Sequence, residues 1–98
     1  MTPLEKDIER KLRGLVGRHG GLCLKWVCPG WAGVPDRIVL LPGGRVLFVE
    51  LKRPQGGRLA PIQEHWAKVL RGLGFGHWVI WDTHDLKRFE EALLLCQK

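Results

Sequence analysis

The sequence lacks any long uninterrupted apolar segment, and this absence excludes membrane-spanning proteins. A membrane helix needs about 20 consecutive apolar residues, and none of the 98 residues lies in a run approaching that length. The beginning, Met1-Thr2-Pro3-Leu4-Glu5, also lacks the apolar core of a secretory signal peptide. We therefore expect an intracellular, cytoplasmic protein with no membrane partner.

Cysteine and histidine are too few and too irregularly spaced for a disulfide framework or a zinc site. The three cysteines are odd in number and lack a paired zinc spacing. The four histidines likewise form no recognisable metal motif. This pattern favours reduced thiols, which are usual inside cells.

Acidic residues are outnumbered by basic ones, and internal repeats and linkers are absent. Lys and Arg number 16 against 10 Asp and Glu, which leaves a formal net charge of +6. A basic surface favours a polyanionic partner, although it also serves solubility. A chain of this length builds one hydrophobic core, so we expect a single domain over residues 1–98.

The hydrophobic pattern predicts an α/β protein with the element order αβββαβα. A first helix begins near Thr2-Pro3 and ends at Gly20-Gly21. A second helix runs from Pro61 to about Arg71, and a third begins near Asp85 and ends near Lys98. The predicted strands run from Leu22 to Val27, Arg37 to Leu41, Val46 to Lys52, and His77 to Trp81.

The segment Pro42-Gly43-Gly44 predicts a three-residue hairpin loop between the second and third strands. Such a loop pairs Leu41 with Arg45. Counting along the antiparallel register then brings Asp36 opposite Glu50, with Cβ atoms about 4.5–5.5 Å apart. A one-residue slip would send Asp36 to the other face, so this prediction depends on the loop length.

Strand alternation also places Lys52 on the face of Glu50. Taken singly, an aspartate or a Glu-x-Lys sequence is more often part of a solvated surface. Together, two carboxylates and an ammonium at one place suit a hard divalent cation that meets a phosphate. The arrangement predicts metal-dependent cleavage of a nucleic acid.

Three segments resemble, in order, the motifs of the VRR-type nuclease domain: Gly33-Val34-Pro35-Asp36, Glu50-Leu51-Lys52-Arg53-Pro54 and Gly57-Arg58-Leu59-Ala60-Pro61-Ile62-Gln63. That domain belongs to the Pro-Asp...Glu-x-Lys nuclease superfamily. The resemblance covers nearly the whole chain. It implies a restriction-endonuclease-like core in which helices flank a mixed four-stranded sheet.

The same resemblance implies a DNA endonuclease that depends on Mg²⁺ or Mn²⁺. Stand-alone members of this size, typical of phages and bacteria, are associated with resolving four-way (Holliday) DNA junctions as homodimers. The expected location is therefore the cytoplasm of a bacterium or of a phage-infected host. An endonuclease that is nonspecific or directed to flaps or nicks would use the same site. A noncatalytic DNA-binding module would not need Asp36, Glu50 and Lys52 together, and is disfavoured.

The predicted metal ligands are Asp36 and Glu50, and the resemblance adds the carbonyl of Leu51. Glu5 is a further candidate, because it lies near the centre of the apolar stripe of the first helix. Related nucleases carry a first-helix glutamate in a similar context. The alternatives are that Glu5 only compensates the helix dipole, or that Glu9 is the ligand.

Lys52 and Gln63 complete the predicted catalytic set. Lys52 would orient the attacking hydroxide, accept its proton or stabilise developing charge. Gln63 falls near the third position of the second helix, where it would hold a phosphate or a water, or bond backward to close the helix start. The predicted DNA contacts are Arg53, Arg58 and Lys68.

Tyrosine is absent from the sequence, whereas tryptophan occurs five times. Trp31 lies in the loop that leads to Asp36, where it would stack on an unpaired base or, as is more frequent for tryptophan, lie in the core or an interface. Trp66, Trp78 and Trp81 are predicted core residues. Trp78 and Trp81 point to opposite sides of their strand, so either could instead serve a dimer interface.

Overall fold

A computed structural model of the chain describes residues 3–52 and 57–96. The elements are α1 (Pro3–Arg18), β1 (Leu22–Lys25), β2 (Arg37–Leu41), β3 (Arg45–Leu51), α2 (Pro61–Gly72), β4 (Gly76–Ile80) and α3 (Thr83–Cys96). The strands form one sheet in the order β1-β2-β3-β4. β1, β2 and β3 pair antiparallel, and β4 pairs parallel to β3. The predicted order αβββαβα and the mixed four-stranded sheet are confirmed.

The β2–β3 hairpin has the predicted register. Leu41 pairs with Arg45, and Arg37 pairs with Val49. Gly43 and Gly44 turn the chain with φ of 82° and 74°, a backbone conformation that glycine adopts without steric cost. One residue beyond the last pair, Asp36 and Glu50 fall opposite each other.

One face of the sheet is closed by α1 and α3. Alternate strand residues point to these helices, and their side chains form the main core. The sheet residues of this closed face are Cys23, Val39, Leu41, Val49, Leu51 and Ile80. Leu12 and Phe89, from the two helices, are fully buried against them. This face supplies most of the buried apolar area on which folding depends.

The other face, which we call the open face, is covered only in part. It carries two rows of paired residues, Leu22–Leu40–Val46 and Leu24–Ile38–Phe48. α2 lies over the β4 side, while Leu22 and Leu24 remain 59% and 45% exposed. Trp26 and Phe75 pack on Phe48 with ring centroids 4.8 and 5.5 Å away. The open face is therefore apolar without being fully enclosed.

Some predicted boundaries were wrong by one or two residues. β1 ends at Lys25 instead of Val27. Trp26 still donates its N–H to the Asp36 carbonyl at 2.9 Å, but the chain turns directly afterwards, where the Trp31 N–H donates to the Cys28 carbonyl at 3.1 Å. β3 and β4 each begin and end one residue earlier than predicted, and α2 ends one residue later, at Gly72.

The third helix also begins earlier than predicted, at Thr83 instead of near Asp85. Asp82 caps it, because its Oδ1 accepts the Asp85 N–H at 2.9 Å and its carbonyl accepts the Leu86 N–H at 3.2 Å. The predicted helix end at Lys98 lies outside the described residues. Within residues 3–52 and 57–96, no helix has the length and apolarity to cross a membrane.

Candidate active site

Asp36 is fixed where the chain enters β2. Its Oδ1 accepts the backbone N–H of Leu51 at 3.2 Å. Its carbonyl accepts the Trp26 N–H at 2.9 Å and the Nη1 of Arg37 at 2.8 Å. The side chain is thereby tied to the end of β3, as the hairpin register predicted.

Glu50 lies in the interior of β3 and is only 6% exposed. Its Oε1 accepts a hydrogen bond of 3.0 Å from the Nε2 of Gln63. The Nζ of Lys52 lies 4.0 Å from the same oxygen. Three of the predicted catalytic residues therefore meet at one carboxylate, and Asp36 adjoins them through the register.

Gln63 makes the predicted backward bond and one contact, with Glu50, that was not predicted. Its Oε1 accepts the Ala60 N–H at 2.8 Å, which closes the start of α2. Its Nε2 is thereby aimed at Glu50. The backward bond is confirmed, and it orients the amide instead of competing with a site role. A contact between Gln63 and phosphate stays a prediction.

In the folded protein, both carboxyl groups have raised pKa values, so their charged forms are disfavoured. Burial raises the pKa of Asp36 above its ordinary value. Burial, followed by the neighbouring Asp36 charge, raises the pKa of Glu50 to about 7, although Lys52 acts in the opposite direction. A cation bound between the two carboxylates would offset both the burial and their mutual repulsion. This donor set fits a hard divalent cation, and Mg²⁺ commonly takes only one or two protein carboxylates.

In the part of the chain that the structure describes, no group of three or more His, Cys, Asp or Glu side chains could hold a metal ion. Glu5 is half-buried on α1, and its role as a ligand stays a prediction. Glu9 points instead to Arg37, whose Nη2 lies 3.5 Å from its Oε1.

Sequence reasoning missed Arg37. The residue is 4% exposed, bonds the Asp36 carbonyl and faces Glu9. Its Nε is buried without a partner among the described residues. Its charge lowers the pKa of both Asp36 and Glu50, against the larger effect of burial. The signal in the sequence was a charged residue at an inward position of an apolar strand, where burial requires a partner.

The structure describes three of the four predicted DNA contacts. Arg58 and Lys68 are exposed, and Arg53 lies outside the described residues. Trp31 is 62% exposed, so a core position for this residue was wrong. Trp78 packs against the core, as predicted.

Trp66 and Trp81 are half-buried and hold loops through their indole N–H groups. Trp66 donates to the Ala32 carbonyl at 2.9 Å, and Trp81 donates to the Gly57 carbonyl at 3.2 Å. The prediction of core positions missed this tethering role. A buried indole N–H requires an acceptor, and here the acceptors belong to the loops on either side of the candidate site.

Comparison with known proteins gives a consistent assignment. No protein-family model matches the chain. A protein of Acyrthosiphon pisum secondary endosymbiont phage 1, described as "Putative nuclease p44", is 45% identical over 92 residues, which cover 91% of this chain and 94% of the phage protein. A solved structure named "VRR_NUC domain" has a TM-score of 0.85 and 26% identity, covering 92% of this chain and 97% of that one. These matches over almost the whole length show that the chain belongs to the VRR-type nuclease family.

Proposed function

We propose that the protein is a metal-dependent DNA endonuclease that resolves four-way junctions as a homodimer. The observation that carries the nuclease assignment is the convergence of Gln63 and Lys52 on the buried Glu50, beside Asp36. A structural ion pair would not need a second buried carboxylate whose charge disfavours the first. The family membership of the chain supports the same activity.

Asp36, Glu50 and the Leu51 carbonyl would hold Mg²⁺ or Mn²⁺. When bound, such an ion lowers the pKa of a water molecule and stabilises negative charge on a phosphate. Lys52 lies on the solvent side of Glu50, with its side chain 20% exposed, where its ammonium would stabilise charge that develops on a phosphate oxygen. Gln63 would hold Glu50 in one orientation through its amide N–H groups.

The homodimer follows from the stoichiometry of the reaction. Within residues 3–52 and 57–96, each chain carries one candidate site, whereas resolution of a junction needs two opposed cuts. Two-fold symmetry is the commonest way to duplicate a site. The partner in this proposal is therefore a second copy of the chain.

The open face supports self-association. Its two rows, Leu22–Leu40–Val46 and Leu24–Ile38–Phe48, contain no charged residue. Two copies that each carry a formal charge of +6 repel one another, so an interface between them must be free of further cations at its centre. Contiguous exposed apolar surface on a small protein is also typical of an interaction site.

The test is cleavage of three DNA substrates of matched sequence: a linear duplex, a flap and a four-way junction. Products are mapped on both strands with Mg²⁺, with Mn²⁺ and with EDTA, and Glu50→Gln serves as the inactive control. We expect paired cuts in the junction, little cutting of the duplex and none in EDTA. Equal cleavage of all three substrates would favour a nonspecific endonuclease, and metal-independent cleavage would contradict the assigned site.

A further inference from the structure

We infer that Trp31 is a stacking platform for an unpaired nucleobase beside the cleavage site. This inference rests on the proposed nuclease function and adds a substrate feature, namely a base outside the double helix. Trp31 is 62% exposed in a loop that otherwise holds only small or aliphatic side chains between Gly30 and Pro35. A large aromatic ring left in water at this place has no role in the core.

The contact that Trp31 does make leaves its ring available. Trp31 and Trp66 meet with ring centroids 5.8 Å apart and an interplanar angle of 86°. An edge-to-face contact of this kind is favourable, and it fixes the ring plane. Because the two planes are perpendicular, Trp66 covers at most one face of the Trp31 ring. The exposed fraction of Trp31 is consistent with this open arrangement.

The loop under Trp31 is held against α2 at two points. The indole N–H of Trp66 donates to the Ala32 carbonyl at 2.9 Å. Gly33 has a φ of 85° and lies so close to Ile62 that an added Cβ would come 2.6 Å from its Cγ1. The loop therefore has little freedom to move away from the helix, and Trp31 is presented in a defined position.

The same helix ties this platform to the candidate site. Gln63, one turn before Trp66 on α2, donates to Glu50 at 3.0 Å, and residues three apart on a helix lie about 5–6 Å from one another. Trp31 also precedes Asp36 by only a few residues. Five residues span at most about 18 Å. A DNA strand whose phosphate lies at Asp36 and Glu50 would thus bring a base no more than about five nucleotides away to Trp31, at about 3.4 Å of rise per nucleotide.

The chemistry of the platform selects a base in preference to a phosphate or a paired duplex. The loop from Cys28 to Asp36 contains no Lys or Arg, so it offers nothing to neutralise a phosphate. Bases inside a duplex are already stacked on their neighbours, whereas bases at a branch point or in a single strand present a free π-face. Stacking on an aromatic side chain tolerates any base sequence, which suits recognition of DNA shape.

The experiment measures binding separately from cleavage. A four-way junction with one unpaired 2-aminopurine at its branch point, a flap with the same base and a fully paired duplex are titrated with protein in Ca²⁺. Wild type is compared with Trp31→Ala, Trp31→Phe and the control Leu73→Ala, which removes another exposed apolar side chain at 69% exposure.

We expect Trp31→Ala to weaken binding of the junction and the flap by about 5- to 100-fold, the range for loss of one base–aromatic stack. The fluorescence quenching of 2-aminopurine should disappear with it. Trp31→Phe should keep most of both, and duplex binding should change little. Leu73→Ala should behave as wild type.

Equal affinities of Trp31→Ala and wild type for the branched substrates would overturn the platform. The platform would also be overturned if light scattering gave Trp31→Ala a different mass from wild type, because Trp31 would then be an interface residue between copies. Failure of the nuclease proposal is a different result, since it would show as no cleavage by wild type with Mg²⁺ or Mn²⁺ while the binding differences persisted.

Discussion

The two faces of the sheet carry similar apolar residues but differ in how completely the helices cover them. On the closed face, Val39, Val49 and Ile80 have no exposed surface, and helices cover them from end to end. On the open face, apolar rows of the same strands stay partly in water and lead directly to the row of Asp36 and Glu50. The buried apolar contacts are concentrated on the closed face, whereas the open face holds the two carboxylates beside partly exposed apolar surface.

The largest expected effect comes from substitutions in the candidate site on the open face. Asp36→Asn, Glu50→Gln and Lys52→Ala should each lower the cleavage rate by about 10²- to 10³-fold or more. The first two remove charge that would hold the metal ion, and the third removes charge that would stabilise the transition state. Thermal unfolding should show that the first two variants are as stable as wild type or more stable. Wild-type cleavage rates in Asp36→Asn or Glu50→Gln would contradict the site.

The second prediction breaks the closed face. Phe89 is fully buried and packs against Trp78, with ring centroids 5.4 Å apart. Phe89→Ala should lower the free energy of unfolding by about 3–5 kcal/mol, since a buried aromatic ring leaves a cavity. Urea denaturation measures this, and Leu94→Ala, an exposed position on the same helix, is the control. Folded Phe89→Ala protein should still cleave DNA at conditions where it remains native.

The third prediction concerns how the free energy of unfolding depends on pH. It is measured in EDTA, so that no metal ion competes with the proton for Glu50. The pKa of Glu50 is about 7 in the folded protein against an ordinary value of 4.5, so the folded state holds this proton more tightly than the unfolded state. Its stabilising contribution is therefore complete below pH 4.5 and is lost as the pH rises through 7. Over this window wild type should lose up to about 3 kcal/mol relative to Glu50→Gln. The prediction would be contradicted if urea denaturation gave wild type and Glu50→Gln the same dependence of unfolding free energy on pH.

The hairpin could be predicted from sequence because its causes are local. The Pro42-Gly43-Gly44 loop fixes the register, and the register alone places Asp36 opposite Glu50. Lys52 follows from strand alternation. These parts of the candidate site needed no knowledge of how distant elements pack.

The missed features all depend on contacts between distant segments. Arg37 has a partner only because α1 brings Glu9 to within 3.5 Å. Gln63 was predicted as a site residue, but its bond to Glu50 was not, and this bond forms only because α2 docks on the open face. The alternation within a strand predicts the face on which each side chain lies, but it does not predict which residues of another element pack against that face.

The fourth prediction sharpens the comparison at Leu24, which is 45% exposed on the open face. Leu24→Ser should change the free energy of unfolding of the monomer by less than about 1 kcal/mol, because the side chain is largely in water already. It should nevertheless shift the protein from dimer to monomer in light scattering. Leu95→Ser, which is 73% exposed on α3 away from the sheet, is the matched control. A wild-type monomer, or a dimer that survives Leu24→Ser, would reject this interface.

The smallest expected effect separates the two first-helix glutamates. Glu9 is engaged by Arg37, so Glu9→Gln should reduce stability by leaving a buried guanidinium less well paired, with little change in the Mn²⁺ requirement. Glu5→Gln should raise the Mn²⁺ concentration for half-maximal cleavage by about 10-fold, the lower range for loss of a group that supports a metal site. Titrating cleavage against Mn²⁺ and unfolding with urea for both variants gives two independent readouts. A larger metal effect for Glu9→Gln would move the ligand one turn along α1, and Arg37 would then have to exchange its partner when the ion binds.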